Sequence, residues 1–427
     1  FVLSRNMLNN EFYKYPDNDE SKNKVFDYNS QEQENKFRYD LNLRKNSRKY
    51  LVSANMEYAN YYNYTNQQVT EGNQIFNIQY ETDLNLIKYG LGLQAVDRFV
   101  DGKLLVSAGV RFDGTNYNKQ TANLINQTSP RVSASYALSD KWQIKAGTGR
   151  FFQLPAYTTL GFKINNAYAN KQSAKYIGLN QFNIGFETRI KESILFSFEA
   201  FYKDYFNYPI DTITGISIAN QGAAYSSVSG TVPAVFSGKG KAYGFEILNR
   251  WNKDNLTVLA TYTYVRSLFT DLQGEYHPSS WDARHLLTIT GTRQFNKNWR
   301  FGLKFRFVGG LPYTPYDLEN SSLVNVWNIN GGPVPDYSKI NSERLPGFHQ
   351  LDIRIDKNFY FKKWTLMLYL DIQNLYNLQY KNQDFVVRKK DENGNYITEQ
   401  NGNKYVLEKL PNTTGTVLPT VGIRIRF

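Results

Sequence analysis

The chain has no cysteine and only three histidines and three methionines among its 427 residues. Without thiols it forms no disulfide and offers no thiolate metal ligand. His277, His285 and His349 lie far apart, with no metal-ligand spacing. No nucleophile elbow, phosphate-cradling glycine loop or zinc motif is present. His285, which follows Asp282-Ala283-Arg284, reads as a hydrogen-bonding residue at a strand start rather than a ligand. Carboxylates are plentiful but read as members of ion pairs, so neither a catalytic residue nor a cofactor is expected. Also missing is any run of about 18 consecutive apolar residues, which excludes a transmembrane helix. No leader segment is recognisable, and a chain opening at Phe1 is expected to have been processed or trimmed.

What is present is an unusual load of aromatic residues. They make up 16% of the chain, with 33 Tyr and 28 Phe, yet the mean hydropathy is −0.55. A transmembrane β-barrel reconciles the two. Its apolar residues face lipid, its polar residues face the lumen, and its aromatic rings gather at the interfaces. The period of the sequence agrees. Val421, Ile423, Ile425 and Phe427 alternate with Gly422, Arg424 and Arg426. Leu366, Leu368, Leu370 and Ile372 alternate with Met367, Tyr369, Asp371 and Gln373. Alternation of period two marks strands with one apolar and one polar face.

Taken in order, the chain predicts about 16 such strands, near the ~9–11 residues that cross a bilayer obliquely. Short turns alternate with long loops. The turns fall at Lys45–Arg48, Asp101-Gly102, Ser139–Lys141, Lys191-Glu192, Asn252–Asn255, Asn296–Asn298 and Phe361–Lys363. Loops are expected at 10–35, 63–83, 114–128, 152–175, 207–238, 267–280, 311–346 and 378–416. Residues 1–9 read as a short, weak strand. With Phe427 at the periplasmic end, every long loop falls outside the cell. The formal charge of +12 is dispersed without a dense cluster, so lipopolysaccharide phosphates and anionic ligands are expected rather than nucleic acid.

Several stretches carry a family resemblance. They are Ser129-Pro130-Arg131 through Gly149-Arg150-Phe151, Gly244-Phe245-Glu246, Trp281 to His285, Asp371 to Asn377 and Gly422 to Phe427. Together they resemble the C-terminal part of a TonB-dependent outer-membrane receptor of the kind abundant in Bacteroidota. The resemblance implies a barrel of about twenty-two strands around a plug domain, coupled to the TonB complex. Nothing before residue 36 resembles a plug, and no TonB box is present. Residues 1–427 are therefore expected to be part of a larger barrel whose plug and first strands lie outside this sequence. The implied function is import of a large, scarce solute such as a siderophore, cobalamin, oligosaccharide or peptide. The alternatives are a passive sixteen-stranded porin and a structural subunit of a larger outer-membrane complex, including one that scaffolds a surface lipoprotein.

Two groups of candidate residues follow. By alternation, Arg111, Asp113, Glu187, Arg189, Lys304, Arg306, Asp352, Arg354, Asp371, Arg424 and Arg426 face the lumen, as a wall for a plug or a solute. Tyr208, Tyr225, Tyr313, Tyr316, Trp327 and Tyr337 lie in the outer loops, where their rings would stack on sugars, enclose a chelate, or pack loop against loop. No EF-hand spacing accompanies the Asn- and Asp-rich loops.

Overall fold

A computed structural model describes residues 1–71, 74–222 and 230–427. Sixteen long strands dominate it. The first seven are β1 (Val2–Lys14), β2 (Phe26–Lys45), β3 (Arg48–Glu71), β4 (Gln74–Phe99), β5 (Leu104–Thr115), β6 (Ser129–Ala137) and β7 (Trp142–Gln153). Then come β8 (Ile177–Lys191), β9 (Ile194–Asp211), β10 (Ala234–Lys253), β11 (Leu256–Thr270) and β12 (Arg284–Phe295). The last four are β13 (Trp299–Val308), β14 (Phe348–Tyr360), β15 (Thr365–Gln373) and β16 (Leu418–Arg426). Each strand pairs antiparallel with the next in one continuous meander, and a three-residue strand, Tyr276–Pro278, adds to the end of β11. Among the described residues no register joins β1 to β16.

All seven short turns stand where the sequence places them, and several use residues that tolerate a left-handed backbone. Asn46, Asp101, Asp254 and Asn298 have φ between 51° and 63°, a region Asn and Asp enter at low cost. The faces also follow the pattern. Leu91 and Leu93 are each 54% exposed and Ile184 58%, while Asn55, Gly90, Arg111 and Asp113 crowd together on the opposite face. An apolar surface this open on one face of the sheet is a lipid-facing band. The sheet curls around its polar face. Asp17, beyond β1, is ion-paired with Arg388, between β15 and β16, at the two ends of the strand order.

The expected loop at 207–238 is shorter, because β9 runs to Asp211 and β10 begins at Ala234, and β11 likewise runs to Thr270; two further boundaries differ more. Residues 10–35 are not one loop, because β1 runs to Lys14 and β2 begins at Phe26. The segment 63–83 is strand apart from the undescribed residues 72 and 73. Polar composition made both look like loops. These strands are 20–26 residues long, over twice what a bilayer needs, so their upper parts have no lipid to face and lose the apolar alternation. Their inner faces are covered instead by loops, and Tyr61, Asn63, Thr65 and Thr82 are buried there.

Candidate functional site

The loop between β7 and β8 turns inward. Its short helix α1 (Tyr157–Gly161) lies on the inner wall of β3 and β4. Leu160 and Tyr157 pack there with Ala59, Tyr61, Leu84 and Leu86, joined by Tyr117 from the β5–β6 loop. Polar contacts fix the seat. Thr82 Oγ1 donates to the Gly161 carbonyl at 2.6 Å and Tyr117 Oη to the Leu160 carbonyl at 2.7 Å. Asn170 donates to the Thr159 carbonyl at 2.7 Å and accepts from the Ala234 amide at 2.8 Å. A Cβ at Gly161 would stand 2.9 Å from the Tyr61 ring, so only glycine lets the helix end approach this closely.

At the foot of this loop is a charged cluster. Tyr157 Oη donates to Glu34 Oε1 at 2.7 Å. Lys88 bonds Glu57, Glu34 at 3.3 Å and the Tyr157 hydroxyl, with its ammonium 4.7 Å from the tyrosine ring centroid. Lys36 lies 2.6 Å from Glu34 and 3.6 Å from Glu57. Burial, and then the bond to Glu34, pushes the Tyr157 hydroxyl well above the usual tyrosine range, so it stays a neutral donor. A cavity of about 510 Å³ opens below, between this cluster, Arg111, Arg131 and Tyr176. The arrangement is a polar chamber under an inward lid, suited to holding a solute by hydrogen bonds and ring contacts.

The predicted wall residues fall into separate networks. Arg111 binds Asp113 at 2.6 Å and Asn55 at 2.8 Å. Glu187 binds Lys145 at 2.9 Å, and Arg189 lies beside the β6–β7 turn with Lys103 and Asp140. Further along the sheet, Arg354 bridges Asp356 at 2.8 Å and Asp371 at 3.5 Å, with its guanidinium 4.0 Å from the Tyr369 ring centroid. Arg306 is 3.8 Å from Asp352, which stands opposite Lys304 in the β13–β14 register. Arg424 and Arg426 lie on β16 across from Met367 and Thr365, with no ion pair among the described residues.

The loop aromatics are dispersed. Tyr208 lies within β9, three residues before its end, and packs on Phe269, their ring centroids 4.6 Å apart. Tyr313 sits in a two-residue strand paired with Glu343-Arg344, and Tyr316 forms a bridge to Pro335. Trp327 is buried in helix α2 (Val324–Asn330). Tyr337 is exposed, and Tyr225 lies outside the described residues.

Sequence reasoning missed Tyr157, Glu34, Lys88 and the caged Arg388. The Arg388 guanidinium lies 3.6 Å from the Tyr396 ring centroid, 5.0 Å from Tyr405 and 5.7 Å from Trp327. The apolar spacing Leu154, Tyr157, Leu160, Phe162 within a predicted loop was the available signal for the first of these.

Comparison with known proteins agrees with this architecture. Residues 3–375 match the family model described as TonB dependent receptor-like, beta-barrel. No curated protein sequence matches the chain. The ferripyoverdine receptor of the outer membrane of Pseudomonas aeruginosa superposes with a TM-score of 0.60 at 12% identity, over 99% of this chain and 54% of that one. The ferric citrate transporter FecA, unliganded, gives 0.57 at 16% identity, over 94% and 55%. The copper transporter OprC gives 0.61 at 12% identity, over 98% and 62%. This chain thus spans little more than half the length of the structures it resembles. The match covers most of the meander and six of the seven long connections among the described residues, and the chain belongs to the TonB-dependent receptor-like β-barrel family.

Proposed function

We propose that this chain forms the wall of an outer-membrane receptor that imports a large, scarce solute with energy delivered by the TonB complex. The observation that carries the reading is the family match over residues 3–375, on a sheet whose seven short turns and seven long connections, among the described residues, lie at opposite ends. The long connections face the cell exterior and the C-terminus the periplasm. Lipid and lipopolysaccharide surround the apolar face, and a plug domain docks on the charged inner wall. The candidate solutes are those of the class as a whole: a siderophore, cobalamin, an oligosaccharide or a peptide.

One feature favours this over a passive sixteen-stranded porin: the loop carrying Tyr157 turns inward onto Glu34 and Lys88 and lies over the chamber. The test is growth on candidate nutrients at limiting concentration, with the gene present or deleted, each in cells with and without TonB. The reading expects one nutrient whose use needs both genes. Uptake that survives loss of TonB, or no growth defect on any nutrient, would overturn it.

A further inference from the structure

Below the chamber, the inner wall of β2–β8 holds a hollow of about 410 Å³ to which arginines contribute and carboxylates do not. Arg38, Arg111 and Arg131 line it, together with the hydroxyls of Ser53, Ser107 and Ser133. The register explains why there is space. Across the strands, Arg131 lies between Gly109 on β5 and Gly149 on β7, and Arg111 stands opposite Gly92 on β4. Side chains directly across a sheet normally fill the about 5 Å between their Cβ atoms, and here three of those neighbours have none. All three gaps are tight at their edges, so that only glycine fits: a Cβ would meet Ser53 Oγ at 2.5 Å from Gly92, the Leu93 carbonyl at 2.9 Å from Gly109, and the Arg131 stem at 3.0 Å from Gly149.

The arginines differ in how they are neutralised. Arg38 gives Nε to Asp40 at 2.9 Å, and Arg111 is held by Asp113. Arg131 has no carboxylate within ion-pairing distance among the described residues and lies against Phe151, its guanidinium 4.3 Å from the ring centroid. Arg131 is also the diagonal neighbour of Arg111 on the same face, through the Arg111–Ser129 and Gly109–Arg131 pairs. Asp113 offsets Arg111, so Arg131 carries the uncompensated charge on this face, and a planar guanidinium is the donor best matched to an oxyanion.

We propose that this hollow binds the oxyanion group, carboxylate or phosphoryl, of a solute passing through the barrel, with Arg131 as the principal contact. Arg111 and the serine hydroxyls complete the cradle, and the glycines leave room for the group. The inference rests on the import reading only for where the solute comes from.

The test is isothermal titration of the purified full-length protein in detergent, with inorganic pyrophosphate and tricarballylate as probes and glucose as the neutral control. Which probe binds more tightly identifies the preferred group. Binding of either anion, absent for glucose, should weaken at least tenfold in Arg131→Gln and recover in part in Arg131→Lys. Ser133→Asp keeps every arginine but adds a carboxylate beside Gly147, and it should abolish binding as well. No heat from either anion, or an affinity unchanged in Arg131→Gln and Ser133→Asp, would overturn the site. Anion binding in a protein that shows no TonB-dependent uptake keeps the site and overturns the import reading; uptake without anion binding does the reverse.

Discussion

Tyr157, in a loop between two strands, donates its hydroxyl to Glu34 on a strand 123 residues earlier in the chain. That bond ties the inward lid to the wall, and the lid's position decides how much of the chamber is open. Replacing Tyr157 with Phe keeps the ring over Lys88 and removes the donor. A hydrogen bond to a charged group contributes about 1.5–3 kcal/mol. Hydrogen exchange at the amides of residues 157–176 should therefore quicken by roughly tenfold or more, since about 1.4 kcal/mol is a factor of ten. Unchanged exchange would mean that apolar packing around Leu160 alone holds the lid.

Asp17 and Arg388 form the second tie, between the first and last long loops. Burial tends to raise the Asp17 pKa, but hydrogen bonds from Arg388 and Lys22 outweigh it and hold it below the usual carboxylate value. A carboxylate with a depressed folded pKa adds stability at neutral pH, and that stability is lost as pH falls through the folded value. Spin labels at Glu20 and Glu392 should show a narrow distance distribution at pH 7 that broadens in strong acid. Arg388→Gln should be broad at both. A narrow distribution in that variant would show the pair to be incidental.

Asp282 is fully buried and carries four contacts from charged or backbone donors: Arg266 at 3.1 Å, Arg344, Arg284 at 3.9 Å and the Ser267 amide at 2.7 Å. It joins β11 to the loop between β13 and β14. Asp282→Asn keeps the volume but leaves three arginines without their anion, a loss of about 3–5 kcal/mol for a buried pair. Thermal unfolding of the purified variant should shift down by several degrees, whereas Asp391→Asn, on an exposed loop, should unfold like the parent.

The two faces of β4 make opposite demands. Leu93→Arg places a charge on the apolar face and should cost about 2–4 kcal/mol of folding into vesicles if it sits near the bilayer midplane. Gln94→Arg, one residue on, points into the polar interior and should fold nearly as the parent does. Equal losses at both positions would contradict the assignment of faces.

Much of this was readable in the sequence for a physical reason. Where a strand crosses lipid, one face must be apolar and the other need not be, so Leu91, Leu93, Phe182 and Ile184 announce both strand and face. The seven turns announced themselves through residues such as Asn46 and Asp101, which accept a left-handed backbone. The reading failed where lipid stops imposing that pattern. Above the bilayer β3 and β4 continue as Asn-, Tyr- and Thr-rich strands, whose inner faces are buried by a loop far along the chain. The site was less legible than the fold. Alternation put Arg111 and Asp113 on the inner face without showing that they pair, and it gave no sign that Tyr157 would reach Glu34 or that Trp327 would be buried beneath Arg388.

The proposed topology puts the long loops outside the cell and the short turns in the periplasm. The chain has no cysteine, so single cysteines report cleanly. Intact cells carrying Ile125→Cys, in the loop between β5 and β6, or Lys362→Cys, in the turn between β14 and β15, would be treated with a membrane-impermeant maleimide. With this topology the first is labelled on intact cells and the second only after the outer membrane is opened. Labelling of Lys362→Cys on intact cells, with Ile125→Cys protected, would contradict it.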